Sequence, residues 1–594
     1  VEGEGEEVAQ VDGAEGWQLE WSKPLPTGSY TVTAHVGEIA VTQILRVQLP
    51  GSLQRQFPFA PRPVYGNPEL PHPESAEEMT DRWRIVPPPY ELDESPSGPK
   101  MPGRLARILP RDGTATLDPY NKNVLKGDYP ILGRNDLFFV FTGISDSLAE
   151  SRTLPTPSGV STQRPGSIRF FGRDDQNLLS QNVDLSFELF EGDTGFKPIR
   201  QRLKVTLIGN LSFVHVEENG LVKPDVRRGT KRTTGLVALQ ELFYERKLRD
   251  LSPSYDFVSF RVGSQPFSSD FRGFVFTDTN AGFRLFGNYA ANRYQYNLAL
   301  FDRREKDTNS GLNTLTKRRG QQVAVANLYW QDFLRKGYTQ QFSIHQLHDG
   351  KSFAYDRNGT LVRPAPVGVF TPHSIDAIYL GEAGLGHLGR LNVDHALYYV
   401  FGRDSLNPIA GPDPALRRRD AVRISAGMAA LELSMDRDWF RPRLAFFYAS
   451  GDRHPRDRTA GGFDSIQDSP AFAGGGFSFF NRMGIRLAGT GVSLVERGSL
   501  LPDLKSSKDE GQPNFVNPGL QLVSAGVDVD VTPRLKAIAT ANYLRFDSTA
   551  SLQALLFQGR IRRDLGEDLS LGIRYRPFLN NNAVVVGVVD AFIP

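Results

Sequence analysis

From about Asp118 onward the chain alternates with a period of two. Val183, Leu185, Phe187 and Leu189 interleave with Asp184, Ser186 and Glu188; Leu203, Val205, Leu207, Leu211 and Phe213 with Lys204, Thr206, Asn210 and Ser212; Tyr294, Tyr296, Leu298 and Leu300 with Gln295, Asn297 and Ala299. The pattern recurs at 391–401, 422–430, 538–546 and 569–576. Such strands put one face against an apolar medium and the other against a polar one, which predicts an all-β chain. A soluble sandwich alternates in the same way, so the connections decide. Long ones fall near 144–181, 217–234, 265–280, 303–320, 349–373, 403–420 and 451–479. Short ones fall between them near 192–201, 248–255, 290–292, 333–337, 383–389 and 435–438. All the tight hairpins therefore lie at one end and all the long polar loops at the other. Outer-membrane barrels have this asymmetry, with short periplasmic turns and long external loops. A Greek-key sandwich has no reason to sort its loops by end. Aromatic residues near strand ends (Phe257 and Phe260, Phe283 and Phe286, Tyr398 and Tyr399, Phe446 to Tyr448) fit the headgroup level of a bilayer.

The expected architecture is a transmembrane, antiparallel outer-membrane β-barrel of about 18 strands over 116–594, of which 16–18 lie in this chain. Residues 480–496 (NRMGIRLAGTGVSLVER) decide the parity. If they belong to one long loop over 451–517, the final strand, Asn582 to Phe592, runs outward and the barrel lacks one strand; that reading is favoured. Ahead of the barrel, 1–16 read as an acidic disordered lead. Residues 17–50 read as a small sandwich-like β-element, and 51–115 as a Pro-rich linker or strap. Opening on Val1 without Met, the chain reads as processed, its signal peptide removed.

Composition then removes whole classes of function. Among 594 residues, 69 Lys plus Arg stand against 67 Asp plus Glu, a net charge of +2 that gives no bulk basis for nucleic-acid binding. Cys is absent, which removes disulfides, thiolate metal sites, a catalytic thiol and covalent c-type haem. No apolar run reaches the length of a membrane helix. Nine His are scattered without HExxH spacing. His395 lies on the apolar parity of LNVDHALYY and reads as a wall residue, and GEAGLGHLG at 381–389 reads as a turn. No enzyme is expected.

The block from Leu239 to Phe286 carries more specific content. It reads LQELFYERKL, a short turn, DFVSFRVGSQPFSSDFRGFVF and then GFRLFGN. It resembles the porins of the phosphate-selective and alginate-export type. A strand bearing Glu (Glu241 or Glu245) precedes a strand R-x-G-x-Q-x-F, matched by Arg261, Gly263, Gln265 and Phe267. A loop with Asp270 and Arg272 follows, then a GFRLFGN strand. The resemblance covers about 50 residues and implies an outer-membrane channel; the chain lacks the run of lumen Arg or Lys that anion-selective members use.

The residues alone make a compatible case. A charge facing lipid costs about 2–4 kcal/mol at mid-depth. Arg284 and Asn288, opposed to Phe283, Leu285 and Tyr289, should therefore face inward, while Arg261 shares the parity of Phe257 and its direction stays open. Glu241, Glu245, Arg261, Asp270, Arg272, Arg284 and Asn288 are thus the candidate pore-lining residues. They form either a mixed-charge constriction or lumen salt bridges that hold the wall together. In the loop 451–479, Asp452, Asp457, Asp464 and Asp468 are hard-oxygen groups suited to a structural Ca²⁺, or to pairing with the intervening Arg residues. The AFAGGGF stretch could fold inward as a plug or lie as a flexible exposed loop.

The expected function is a porin-like channel in the bacterial outer membrane for small hydrophilic solutes, with inward-folded loops and a periplasmic N-terminal region. Its partners are membrane lipid, the solutes and, through 1–115, a periplasmic or outer-membrane protein. The alternative is a structural sleeve or anchor, plugged by a partner such as a periplasmic cytochrome or an export component.

Overall fold

The computed structural model describes residues 124–474 and 508–593, apart from short breaks of which the longest are 154–162 and 410–420, and separately the strands within 28–47. The chain divides into two units, Val1–Tyr65 and Gly66–Pro594. In the first, β1 (Gly28–Val36) and β2 (Ile39–Val47) form an antiparallel hairpin in register from Gly28↔Val47 to Val36↔Ile39. The acidic lead at 1–16 and the Pro-rich stretch 51–115 lie outside the described residues.

The second unit is a wall of antiparallel strands. It opens with β3 (Leu137–Thr153), β4 (Asp175–Glu191), β5 (Gln201–Val216), β6 (Lys231–Asp250) and β7 (Phe257–Ser268). β8 (Thr277–Tyr289), β9 (Tyr294–Lys306), β10 (Asn313–Trp330) and β11 (Tyr338–Asp349) follow. A small pair in the next loop, β12 (Ala354–Tyr355) and β13 (Leu361–Arg363), stands apart from the wall. β14 (Ile375–Leu388), β15 (Leu391–Asp404), β16 (Val422–Met435) and β17 (Phe440–Ala449) continue it. After β18 (Thr459–Ala460) come β19 (Leu520–Thr532), β20 (Leu535–Arg545), a helix α1 (Ala550–Leu556), β21 (Asp564–Tyr575) and β22 (Val585–Ile593).

Counting β18, which is two residues long, 18 strands form one sheet that closes as a barrel. Turns and loops mostly alternate by end as the sequence predicts, but the connection expected to be long near 303–320 is only 307–312, because β9 and β10 extend into it. β3 and β22 both run from the short-turn end to the long-loop end, so the first and last long strands point the same way. β17 lies in direct register with β19 (Leu444↔Ala525), so the two are neighbours in the wall. Residues 480–496 themselves lie outside the described residues.

One sequence reading is corrected. GEAGLGHLG is not a turn: β14 continues to Leu388, paired to both neighbours as far as Gly386. Its glycines make room for large side chains instead. A Cβ on Gly381 would meet the Tyr398 ring at 2.1 Å, and one on Gly384 would meet the Tyr338 hydroxyl at 2.0 Å.

The alternation sorts the wall into two faces. Phe342, Ile344, Leu380, Leu397, Tyr399, Leu444 and Phe446 point outward and stay exposed, Leu444 by 62%. Their neighbours Tyr379, Tyr398, Val400 and Phe447 point inward and are buried. A soluble protein leaves no such continuous apolar belt in water; the barrel spans a membrane with strands. No helix among the described residues is long and apolar enough to do so.

Candidate functional site: the barrel interior

Two long loops enter the lumen. The first, 269–276, joins β7 to β8 and is folded around Asp270. That carboxylate accepts the backbone N–H groups of Arg272 (3.0 Å), Gly273 (2.5 Å), Phe274 (3.0 Å) and Val275 (3.2 Å). Burial pushes the Asp270 carboxyl upward, and these four donors pull against it. Arg272 then reaches across the lumen to the inner faces of β15 and β16, pairing with Asp394 and, at 3.0 Å, with Glu432. Phe274 packs on Phe447 (6.0 Å between ring centroids) and Phe472 (5.5 Å).

The second loop, between β17 and β19, enters from the other side. β18 pairs in parallel with Arg423 and Ile424 of β16, beyond the point where β17 stops. The two loops meet at the start of β8 through backbone bonds: Gln467 N–H donates to Val275 O (2.9 Å) and Thr277 N–H to Gln467 O (2.8 Å). Phe463, Ile466, Phe472, Phe515 and Val516 join Phe274 and Phe276 in one buried apolar cluster with the inner wall. Each such side chain contributes about 1.5–3 kcal/mol by leaving water. The returning segment is held by carbonyl contacts: Arg319 of β10 donates to the carbonyls of Lys508 (3.2 Å), Asp509 and Gly511, and Arg363 of β13 to that of Glu510 (3.1 Å). Burial, with Asp356, Asp509 and Asp307 nearby, pushes the Glu510 carboxyl up to about 8, although Thr308 donates to it at 2.7 Å.

The wall residues singled out from sequence separate into groups. Glu245 and Arg261 face each other on β6 and β7, joined at 2.6 Å, both nearly fully buried. Arg261 therefore faces inward, and its guanidinium lies over Phe243 (4.4 Å) and Phe286 (5.5 Å). Arg284 is its cross-strand neighbour on β8, lying over the other side of the same cluster with Phe286 at 4.5 Å and donating to Asn297 at 2.6 Å. Glu241 does not join them; it pairs with Lys204 of β5 at 2.7 Å. Asn288 sits at the short-turn end, where its side-chain oxygen accepts the Phe257 N–H (2.9 Å). Asp270 and Arg272 belong to the inward loop and not to the wall.

The four loop carboxylates do not converge. Asp452 accepts the N–H of His454, Asp457 that of Thr459, Asp464 pairs with Lys508, and Asp468 accepts the Ser465 hydroxyl. Among the described residues, no three His, Cys, Asp or Glu side chains gather as a metal would need. Sequence reading missed Asp394, Glu432, Arg319 and Arg363. Asp394 was detectable, being the charged residue on the inner parity of LNVDHALYY. Nothing local marks the two arginines for this role, since the carbonyls they hold in the returning segment lie 147 to 192 residues away along the chain.

The loops fill the lumen unevenly. Inner-face residues of β11, β14, β15 and β16 are buried beneath them, whereas the inner faces of β3 to β5 mix polar side chains with apolar ones, Ile144, Leu148 and Ile208 among them, and are only partly covered over much of their length. Asp146, Asn182, Asp184, Ser186, Glu188 and Lys204 line this side, with Asp146 exposed and the rest half-buried.

No protein-family model matches the chain, and no curated protein does. Among solved structures it is similar to Pseudomonas aeruginosa OccK9 (OpdG), at 11% identity and a TM-score of 0.40 over 77% of this chain and 94% of that one. A BenF-like porin from Pseudomonas fluorescens Pf-5 gives 9%, 0.39, 77% and 93%. Acinetobacter baumannii OccAB1 gives 10%, 0.36, 74% and 85%. Likenesses this distant do not say what passes through the barrel; only the chain's own residues bear on that.

Proposed function

We propose that the protein is a porin-like channel of the bacterial outer membrane that passes small hydrophilic solutes. The path is a crescent between the partly exposed inner wall of β3 to β5 and the inward loops. The observation that carries this reading is the one-sided filling of the lumen: partly exposed side chains, charged ones among them, along one wall, and buried apolar packing against the other. Mixed charge along the crescent, with Asp184, Glu188, Arg202 and Lys204 close together, orients dipolar solutes without favouring one sign of ion strongly. The local resemblance of 239–288 to phosphate-selective and alginate-export porins agrees with a channel. The short-turn end and residues 1–115 are read as periplasmic.

A second reading has its own support. The buried cluster around Phe274, Phe463, Phe472 and Phe515 resembles a soluble core more than a pore lining, as a plugged sleeve or anchor requires. Single-channel recording of the purified full chain in planar bilayers, with reversal potentials in a salt gradient, separates the two. Stable steps of weak ion preference support the channel. A barrel that is folded and inserted but electrically silent leaves the sleeve.

A further inference from the structure

Four polar side chains sit on the outer face of the barrel, where apolar ones belong. Tyr338 and Gln340 of β11 share the parity of Phe342 and Ile344, which are exposed on the lipid side. Glu382 of β14 stands directly opposite Phe342 and Leu397, and His395 of β15 shares the parity of Leu397 and Tyr399. They close a hydrogen-bonded ring. The Tyr338 hydroxyl is 3.0 Å from His395 Nδ1, and His395 Nε2 is 2.8 Å from Glu382 Oε1. Gln340 Nε2 donates to the same oxygen at 2.9 Å, and Tyr338 lies 3.4 Å from Gln340 Oε1. The Tyr338 hydroxyl has one proton to give, to Gln340 Oε1 or to Nδ1, and in either arrangement Glu382 accepts from His395 and from Gln340. Glu382 Oε1 takes both donors; its other oxygen has no hydrogen-bond partner among the described residues, and the side chain is 39% exposed.

The ring lies toward the short-turn end of its strands. Tyr289, Tyr294, Trp330, Gln340, Gly384 and His395 follow one another across β8 to β15, each paired with the next. Tyr338 and Gln340 open β11 beside the turn after Trp330, so the ring borders the apolar belt of Phe342, Ile344, Leu397 and Tyr399 on its short-turn side, where amphipathic side chains meet lipid headgroups. An acceptor-only carboxylate there, partly exposed and with one oxygen not engaged by the described residues, is complementary to a cation carrying N–H donors.

We propose that this outer-wall ring is a headgroup site for a phospholipid bearing a primary ammonium, as in phosphatidylethanolamine, with Glu382 accepting the ammonium and Tyr338, His395 and Gln340 holding the carboxylate in place. The site rests on the membrane-embedded reading of the barrel.

The test uses the full chain in detergent with added phosphatidylethanolamine, phosphatidylcholine or phosphatidylglycerol, with retained lipid counted by native mass spectrometry. Phosphatidylcholine has a cation of equal charge but no N–H. The expected result is about tenfold preferential retention of phosphatidylethanolamine over both, the scale of one charge-assisted hydrogen bond, lost in Glu382→Gln. Glu382→Leu, which continues the apolar belt, should lose it equally while keeping the heat-modifiable folded band. Equal retention of the three lipids, or a preference that survives Glu382→Gln, overturns the site. So does a change of oligomeric mass in Glu382→Gln, which makes the ring a contact between copies. Failure of the wild-type chain to insert into vesicles of any composition strikes the membrane reading itself; insertion without headgroup preference strikes the site alone.

Discussion

Arg261 and Glu245 stand directly opposite one another on the inner face of β7 and β6, with Nη2 2.6 Å from a carboxylate oxygen and both side chains less than a tenth exposed. Two aromatic rings sandwich the guanidinium, so no water replaces a lost partner. Glu245→Ala leaves a buried cation uncompensated, at a cost of about 3–5 kcal/mol. The temperature at which the folded band disappears on unboiled gels should fall clearly. The double variant Glu245→Leu with Arg261→Met should recover most of the loss, because an apolar pair needs no compensation.

Arg272 ties the first inward loop to Asp394 and Glu432 on the far wall. Its removal forfeits two charge-assisted bonds of about 1.5–3 kcal/mol each and leaves two carboxylates facing the gap. Arg272→Ala should raise unit conductance and shift selectivity toward cations, both read in planar bilayers. An unchanged conductance would place the narrowest point elsewhere.

Glu510 gives the returning segment a pH dependence. Its carboxyl titrates near 4.5 when unfolded and about 8 when buried, so the folded state holds the proton more tightly. Stability from this group is therefore fullest below about pH 4.5 and is lost as pH rises through 8. Asp452, pushed by burial from 3.8 to about 6, acts with the same sign over a lower window. Amide exchange at 508–512 should quicken between pH 5 and 9, after correction for intrinsic rates, and Glu510→Gln should flatten that rise.

The closing strands form the weakest part of the wall. β22 contains no fully buried residue, and β3 is exposed along most of its length from Phe141 to Ala149. Since both run in the same direction, closing edge to edge makes a parallel contact, slightly weaker per residue than an antiparallel one. Hydrogen exchange should be faster in β3 and β22 than in β14 and β15. Equal protection across all four would show a stronger closure than the exposure implies.

The wall was legible in the sequence because a lipid-facing strand must repeat every second residue. Val183 to Leu189 and Tyr294 to Leu300 betray their two faces without any knowledge of neighbours. Arg284 could be aimed for the same reason. Arg261 could not, because Phe257 shares its parity and proves to lie near the turn, where that rule lapses. The glycines of β14 misled for a related reason: they accommodate Tyr338 and Tyr398, which arrive from neighbouring strands, and local composition records no such visitor. Nor could the interior be read, since Arg319 and Arg363 find their carbonyls in a segment more than a hundred residues downstream.

The reach of Arg272 also has a consequence for assembly. Its two carboxylate partners lie 122 and 160 residues further along the chain. The loop cannot settle until the wall has been laid down as far as β16, and it cannot join the second loop until β17 is in place. The nascent barrel is thus a hollow hoop first and a furnished one later. Once drawn in, the two loops act as a spoke between opposite sides of the rim, resisting the flattening that an empty hoop of this width invites.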